Sequence, residues 1–450
     1  MSDRLFGTDG VRGTANEELS PELALKLGLA AGYLLAQRRG SAEPKVVVGA
    51  DSRISSSMLE AALCSGLCAM GIDVIAPGLL PTPAVARITS ALGAEAGVVI
   101  SASHNVYSDN GIKFFGPTGY KLDDKLETEL EQLVPIAFTL PRPVGGDIGH
   151  IRRDQGLSSH YVAHIESTMS SVRLSGLKVV VDAANGAASE LGPRILSALG
   201  AQVVAMNCEP NGININDNCG ALHPQGMAAR VVSEGADAGV AFDGDADRAI
   251  LADRNGNIVD GDRVMAICGL ALSERNQLAG RTVVGTIMSN MGLEVALRQH
   301  GITLERTAVG DRNVCERMRE GGFVIGGEKS GHIVFGALTT TGDGILTALQ
   351  VFKAIVESGR SLDDLAAVMS EFPQVLLNIR VTDRKGWQKD SAVQRAIQSA
   401  ELSLAGVGRI NVRASGTEQL IRVMVEAPDS EVVDSTAASV ASVIRENWGA

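Results

Sequence analysis

Residues 178–186 read KVVVDAANG, a β-branched run that stops in a polar loop, and the chain carries the pattern twice more, as KVVVGADSR (45–53) and TVVGTIMSN (282–290). Each copy runs into a helical stretch closed by glycine: LCAMG at Gly71, LSALG at Gly200, LRQHG at Gly301. A second apolar strand follows (IDVIAP, AQVVAMN, ITLERTAVG), and later a third that ends in a polar loop. These third strands are AGVVISASHN (96–105), DAGVAFDGDADR (237–248) and GGFVIGGEKSGH (321–332). Short β-branched runs separated by helices predict mixed sheets with helices on their faces. Recurrence at about 100–130 residues means related domains and not a solenoid of short repeats.

GIKFFGPTGYKLDD and RAILADRNGNIVDGDR continue the rhyme as hairpins, and Ser20-Pro21 opens an early helix with a cap and a first-turn proline. The stretch 135–153, rich in Pro and Gly, marks the first boundary. After Pro373 the pattern changes to QVLLNIRV, a helical WQKDSAVQRAIQSAEL, GRINVRA, QLIRVMVEA and a last helix. The expected fold is therefore α/β: three similar mixed-sheet domains (1–153, 154–254, 255–370) and a smaller C-terminal α+β domain (371–450). The carboxyl ends of equivalent strands are where open α/β sheets bind ligands, so the three polar loops are expected to face one central cleft.

Bulk properties narrow the function. The chain has 450 residues, too many for one core, with 45% hydrophobic and 20% charged residues, as in an ordinary globular protein. MSDRLFGTDG lacks a signal pattern and no uncharged apolar run reaches about 18 residues. The six cysteines show no CxxC pairing, and Cys64 and Cys68 are expected on one buried helix face. A cytoplasmic protein with reduced thiols and no membrane partner is the expectation. Net charge is −12 with no basic stripe, which argues against nucleic acid; an anionic ligand would need local cations.

The loops supply chemistry. Asp243, Asp245 and Asp247 alternate in DGDADR, three hard oxygen donors suited to Mg²⁺. An EF-hand is excluded, because Arg248 and Arg254 stand where that loop needs Gly and Glu. GGEKSGH sets Glu328, Ser330 and His332 among glycines, a hydroxyl-binding set, but lacks the glycine before Lys-Ser of a P-loop. RASGTEQLIR combines Arg413, Ser415, Gly416, Thr417 and Arg422, the parts of a phosphate clamp. Arg12 in GTDGVRG and Lys113 in GIKFF add cations. In ISASHN, Ser103 and His104 are neighbours whose side chains would point apart in extended backbone, poor geometry for a hydrolytic pair. A serine beside aspartate-held Mg²⁺ and a phosphate clamp instead suggests phosphoryl transfer through the hydroxyl.

Taken in order, FGTDGVRG, ISASHN…DNGIKFF, FDGDADR, GGEKSGH with TTTGDG, and RASGTE with IRVMVE closely resemble the α-D-phosphohexomutase superfamily nearly end to end. FGTDGVRG and VGDRNV resemble its glucosamine-phosphate subgroup. The resemblance implies a phosphoserine at Ser103 that converts glucosamine 6-phosphate to glucosamine 1-phosphate through a 1,6-bisphosphate, for UDP-N-acetylglucosamine and cell-wall synthesis. It implies one Mg²⁺ on Asp243, Asp245, Asp247 and a phosphoserine oxygen, with a hexose bisphosphate as activator and a homodimer. Glu328 and Ser330 match sugar-hydroxyl binders, and Arg413, Ser415, Gly416 and Thr417 the phosphate loop. Arg12, Lys113, Arg248 and His332 match positions that assist transfer or proton movement. Competing readings are a mutase for glucose or mannose phosphates, a non-catalytic sugar-phosphate binder, and a Mg²⁺ phosphatase with an Asp nucleophile. Two departures bear on the loops. Val106 stands where the family commonly has proline, which frees Asn105, and Ala414 and Gln419 replace prolines around the phosphate loop.

Overall fold

The computed structural model describes residues 5–7, 9–38, 44–415 and 418–450. They divide into two compact units, 1–288 with 302–368 and 289–301 with 369–450.

The first unit holds three sheets built to one plan. In each, a central strand lies between two parallel neighbours, and a fourth strand returns antiparallel beside the third. The central strands are Lys45–Ala50, Lys178–Asp182 and Thr282–Thr286. Their second strands are Asp73–Leu79, Gln202–Met206 and Thr303–Thr307. The third strands, Ala96–Ile100, Ala238–Phe242 and Ile325–Gly327, pair with Asp109–Phe115, Ala249–Asp253 and Ile333–Phe335. The repeat read from the sequence is thus a repeat of sheets.

Local chemistry explains the elements. Val46, Val47, Val48, Val98, Val99 and Ile100 are fully buried, as expected for strands covered on both faces. The first helix, Pro21–Gln37, starts where Ser20 Oγ accepts from Leu23 N at 3.3 Å and proline occupies the first turn. Helices end at Gly71 (φ 78°), Gly200 (φ 101°) and Gly301 (φ 66°), left-handed positions that suit a residue without Cβ. Cys64 and Cys68 share the buried face of helix Ser56–Ala69. The Pro/Gly-rich stretch is less of a break than its composition suggested: Ile151–Arg153 pairs parallel with Asp73–Leu79 and closes the edge of the first sheet.

The second unit contains an antiparallel sheet in which Leu420–Glu426 lies between Gln374–Arg380 and Arg409–Ala414. Helices Ser391–Ser403 and Ser430–Trp448 cover it, capped by Asp390 and Asp429. Ile379, Ile421, Val423, Val425, Val440 and Ile444 form its core. Among the described residues, no helix is long and apolar enough to cross a membrane.

Candidate active site

Each third strand of the first unit delivers one polar loop, and backbone hydrogen bonds tie the acidic loop of the second sheet to segments that belong with the other two. Thr82 N donates to Asp245 O (2.9 Å), Ala249 N to Gly331 O (3.0 Å) and Gly344 N to Ala246 O (2.9 Å). The approach requires glycine at 244, where a Cβ would stand 2.5 Å from the Ser103 carbonyl oxygen.

Two serine hydroxyls on the first loop have different tasks. Ser101 Oγ donates to Asp51 Oδ2 (2.7 Å) and accepts from Ser103 N (2.9 Å), so it is used within the loop. Ser103 Oγ donates to Asp243 Oδ2 at 2.6 Å, across to the loop of the second sheet. The expectation that Ser103 and His104 point apart is overturned. His104 Nδ1 lies 3.2 Å from Ser103 Oγ, because Ser103 is left-handed (φ 53°) and not extended. Burial, with help from the Arg248 and Arg12 cations, pushes the His104 imidazole down to about 4, so it is neutral at pH 7. A hydrolytic triad would place a carboxylate behind the imidazole; here Asp243 bonds the hydroxyl directly.

Asp243, Asp245 and Asp247 are buried, and each presents an oxygen within 4.8 Å of the others. Ala246, left-handed at φ 56°, turns the chain so that alternate carboxylates converge. Burial and the two neighbouring carboxylates push Asp243 well above the usual carboxylate range, and burial with Asp245 raises Asp247. Burial pushes Asp245 up too, but the Lys113 ammonium 2.9 Å away overrides it and holds the group low. Asp245 Oδ1 and Asp247 Oδ1 are buried without a hydrogen-bond partner. Three carboxylates with two orphaned oxygens fit a divalent cation.

A belt of cations and anions adjoins them. Arg12 and Lys121 pair with Asp9, Lys113 lies 3.1 Å from Asp9, and Lys121 reaches Asp311 at 2.5 Å. His332 Nε2 sits 3.8 Å from both Asp247 and Asp311 and has no hydrogen-bond partner. Arg248 Nε is 3.9 Å from Asp247 Oδ1. Glu328 Oε1 accepts from Gly310 N (3.0 Å), and Ser330 is exposed beside it. Sequence reading named Arg12, Lys113, Arg248 and His332 but missed Asp9, Asp51, Lys121 and Asp311. All four lay inside quoted stretches, but no spacing rule marks a lone aspartate or lysine.

In the second unit Arg413 and Arg422 lie directly opposite in an antiparallel pair, an arrangement that like charges disfavour unless an anion is near. Arg422 also reaches Glu418 Oε2 (3.2 Å), and Ser415 Oγ accepts from Glu418 N (3.3 Å). Gly416 and Thr417 fall outside the described residues.

One buried pair beside the site predicts a pH effect. Tyr161 OH donates to Asp343, whose carboxyl burial raises to about 7. The folded state therefore holds a proton that the unfolded carboxyl releases near its ordinary value of 3.8. The associated stability is full below that value and is lost as pH rises through about 7. Asp343→Asn is expected to flatten the fall in thermal midpoint between pH 5 and pH 8; an unchanged slope would contradict the assignment.

Models of phosphoglucomutase/phosphomannomutase α/β/α domains I, II and III match residues 3–137, 159–256 and 260–372, and the C-terminal domain model matches 376–443. The chain belongs to the phosphoglucomutase/phosphomannomutase family. Among similar proteins, the phosphoglucosamine mutase of Symbiobacterium thermophilum is 53% identical across 98% of this chain and 99% of its own. That of Mycobacterium marinum is 51% identical over the same shares. A family protein from Burkholderia thailandensis shares the fold at TM-score 0.83 and 23% identity, covering 100% of both chains. The Aspergillus fumigatus N-acetylphosphoglucosamine mutase, solved with GlcNAc-6P and magnesium, aligns at TM-score 0.65 and 19% identity over 98% of this chain and 95% of its own.

Proposed function

We propose that the protein is a phosphoglucosamine mutase that interconverts glucosamine 6-phosphate and glucosamine 1-phosphate through phosphorylated Ser103, supplying UDP-N-acetylglucosamine and cell-wall synthesis. The observation that carries this is the Ser103 hydroxyl bonded to the first of three clustered carboxylates. Near-50% identity to phosphoglucosamine mutases over the full chain supports the substrate.

Phosphoserine 103 gives its phosphoryl group to the O1 hydroxyl of glucosamine 6-phosphate, and the serine takes back its proton. The glucosamine 1,6-bisphosphate turns, and its 6-phosphoryl group passes to Ser103 while O6 recovers a proton. The same bisphosphate, arriving from solution, primes unphosphorylated protein. Asp243, Asp245, Asp247 and a phosphoserine oxygen would hold Mg²⁺, which neutralises charge on the transferred group. Lys113, held towards its protonated form against burial by Asp245, Asp9 and Asp247, places a cation beside the reacting serine. Arg12 and Arg248 steady the phosphoryl oxygens, and His332 moves the proton of the reacting hydroxyl. Glu328 and Ser330 bind sugar hydroxyls. A homodimer and the division at 153, 254 and 370 belong to the same reading; sedimentation and limited proteolysis check them.

Arg413, Arg422, Ser415, Gly416 and Thr417 grip the phosphate that is not reacting, first at C6 and then at C1. A charge-assisted contact is worth about 1.5–3 kcal/mol, and one clamp serves both orientations. Arg413→Ala is therefore expected to raise KM for glucosamine 6-phosphate and glucosamine 1-phosphate by comparable factors and to release more bisphosphate. A large defect in one direction only, without release, would mean two separate anchors.

A further inference from the structure

Arg53 lies outside the groups that touch the reacting atoms, yet its guanidinium is spent on the serine loop. Both it and Asp51 are fully buried, with Nε 2.9 Å from Asp51 Oδ2. Nη2 donates to the carbonyls of Ser103 (3.0 Å) and Asn105 (2.9 Å). Nη1 donates to the carbonyl of Asp109 (3.1 Å) and to that of Val106. The fork thus fastens both ends of loop 103–109, including the position where the family's common proline is missing. Asn216 reaches in from the second domain, its Nδ2 2.9 Å from the carbonyls of Ser103 and of Asn105. Asp51 also accepts from Ser101 Oγ and Ser56 Oγ, which fixes the carboxylate that aligns the fork.

We infer that Arg53 is a positioning residue for the phosphoryl-transfer serine. With Asn216 it holds the Ser103 carbonyl so that the backbone stays left-handed and the hydroxyl stays on Asp243. Released to extended backbone, the residue would turn its side chain away from the carboxylates. Lysine keeps the charge beside Asp51 but cannot reproduce a planar fork that bonds four carbonyls. Among the described residues, the Arg53 side chain bonds to Asp51 and loop 103–109 and not to Glu328 or Ser330, so substrate affinity is not its task. This rests on the function proposed above.

The test is Arg53→Lys in the full chain, primed with glucosamine 1,6-bisphosphate and loaded with Mg²⁺. A misplaced reacting group costs up to about 100-fold, so kcat is expected to fall by about 10–100-fold with KM for glucosamine 6-phosphate within twofold. The phosphoserine ³¹P resonance is expected to shift or broaden. Asn216→Ala, which leaves Asp51 and Arg53 paired, is expected to lower kcat severalfold with KM again unchanged, and it carries the test if Arg53→Lys does not fold. Folded Arg53→Lys with parental kcat and ³¹P signal would overturn the inference, as would Asn216→Ala with parental kcat. A parent protein that shows no phosphoserine signal would instead sink the proposed function.

Discussion

Ser103→Ala is expected to lower kcat by at least about 10³-fold, the scale seen when a covalent nucleophile is removed, with the fold intact. Ser103 Oγ makes hydrogen-bond contacts with Asp243 and His104, and the backbone fastening of the loop runs through its carbonyl and N–H, which alanine keeps. Ser101→Ala is the control that separates the two hydroxyls. It removes the donor to Asp51 and the acceptor for Ser103 N, so it loosens the loop without deleting the reacting group. Its loss is expected to stay within about 100-fold, the scale of two buried hydrogen bonds at about 0.5–1.5 kcal/mol each. Rate assays with both variants, alongside circular dichroism, decide the matter. Equal losses would remove the distinction between the two serines.

Asp245→Asn is the second large effect. The carboxylate serves two masters: one oxygen accepts from Thr82 Oγ1 (2.6 Å) and Lys113 Nζ (2.9 Å), and the other is left for a cation. An amide keeps the shape but loses the charge, which leaves Lys113 facing Asp9 at 3.1 Å and Asp247 at 3.9 Å. A unit charge at about 4 Å is worth roughly 4 kcal/mol at an effective dielectric of 20 before desolvation. Mg²⁺ affinity measured by calorimetry is expected to fall by at least about tenfold, and kcat by about 100-fold at fixed Mg²⁺. Because a bound cation stabilises the fold by mass action, the Mg²⁺-induced rise in thermal midpoint should shrink in parallel. An unaltered rise would reject Asp245 as a ligand.

The sheets were legible because buried β-branched runs and helix-ending glycines are local signals, and they recur three times at equivalent places. Ile151–Arg153 was not legible as a strand: its three residues are exposed and pair only at a sheet edge. The acidic triplet could be read because its three carboxylates are close in sequence. Asp9, Lys121 and Asp311 could not, because they meet only after folding brings separate segments together. The Ser103–His104 geometry failed for a different reason. Side-chain alternation holds for extended backbone, and a left-handed serine is held in place by Arg53, fifty positions away. Long-range hydrogen bonds decided that dihedral, and nothing local announced it.

The central claim is that Ser103 carries the phosphoryl group between the two positions of the sugar. It is tested most directly by incubating the protein with Mg²⁺ and glucosamine 1,6-bisphosphate labelled with ³²P, removing the sugar, and mapping the label by peptide mass spectrometry. The account predicts one phosphate, on Ser103, which passes to added glucosamine 6-phosphate to give bisphosphate. Label on another residue, or label released as inorganic phosphate and never transferred to the sugar, would contradict it.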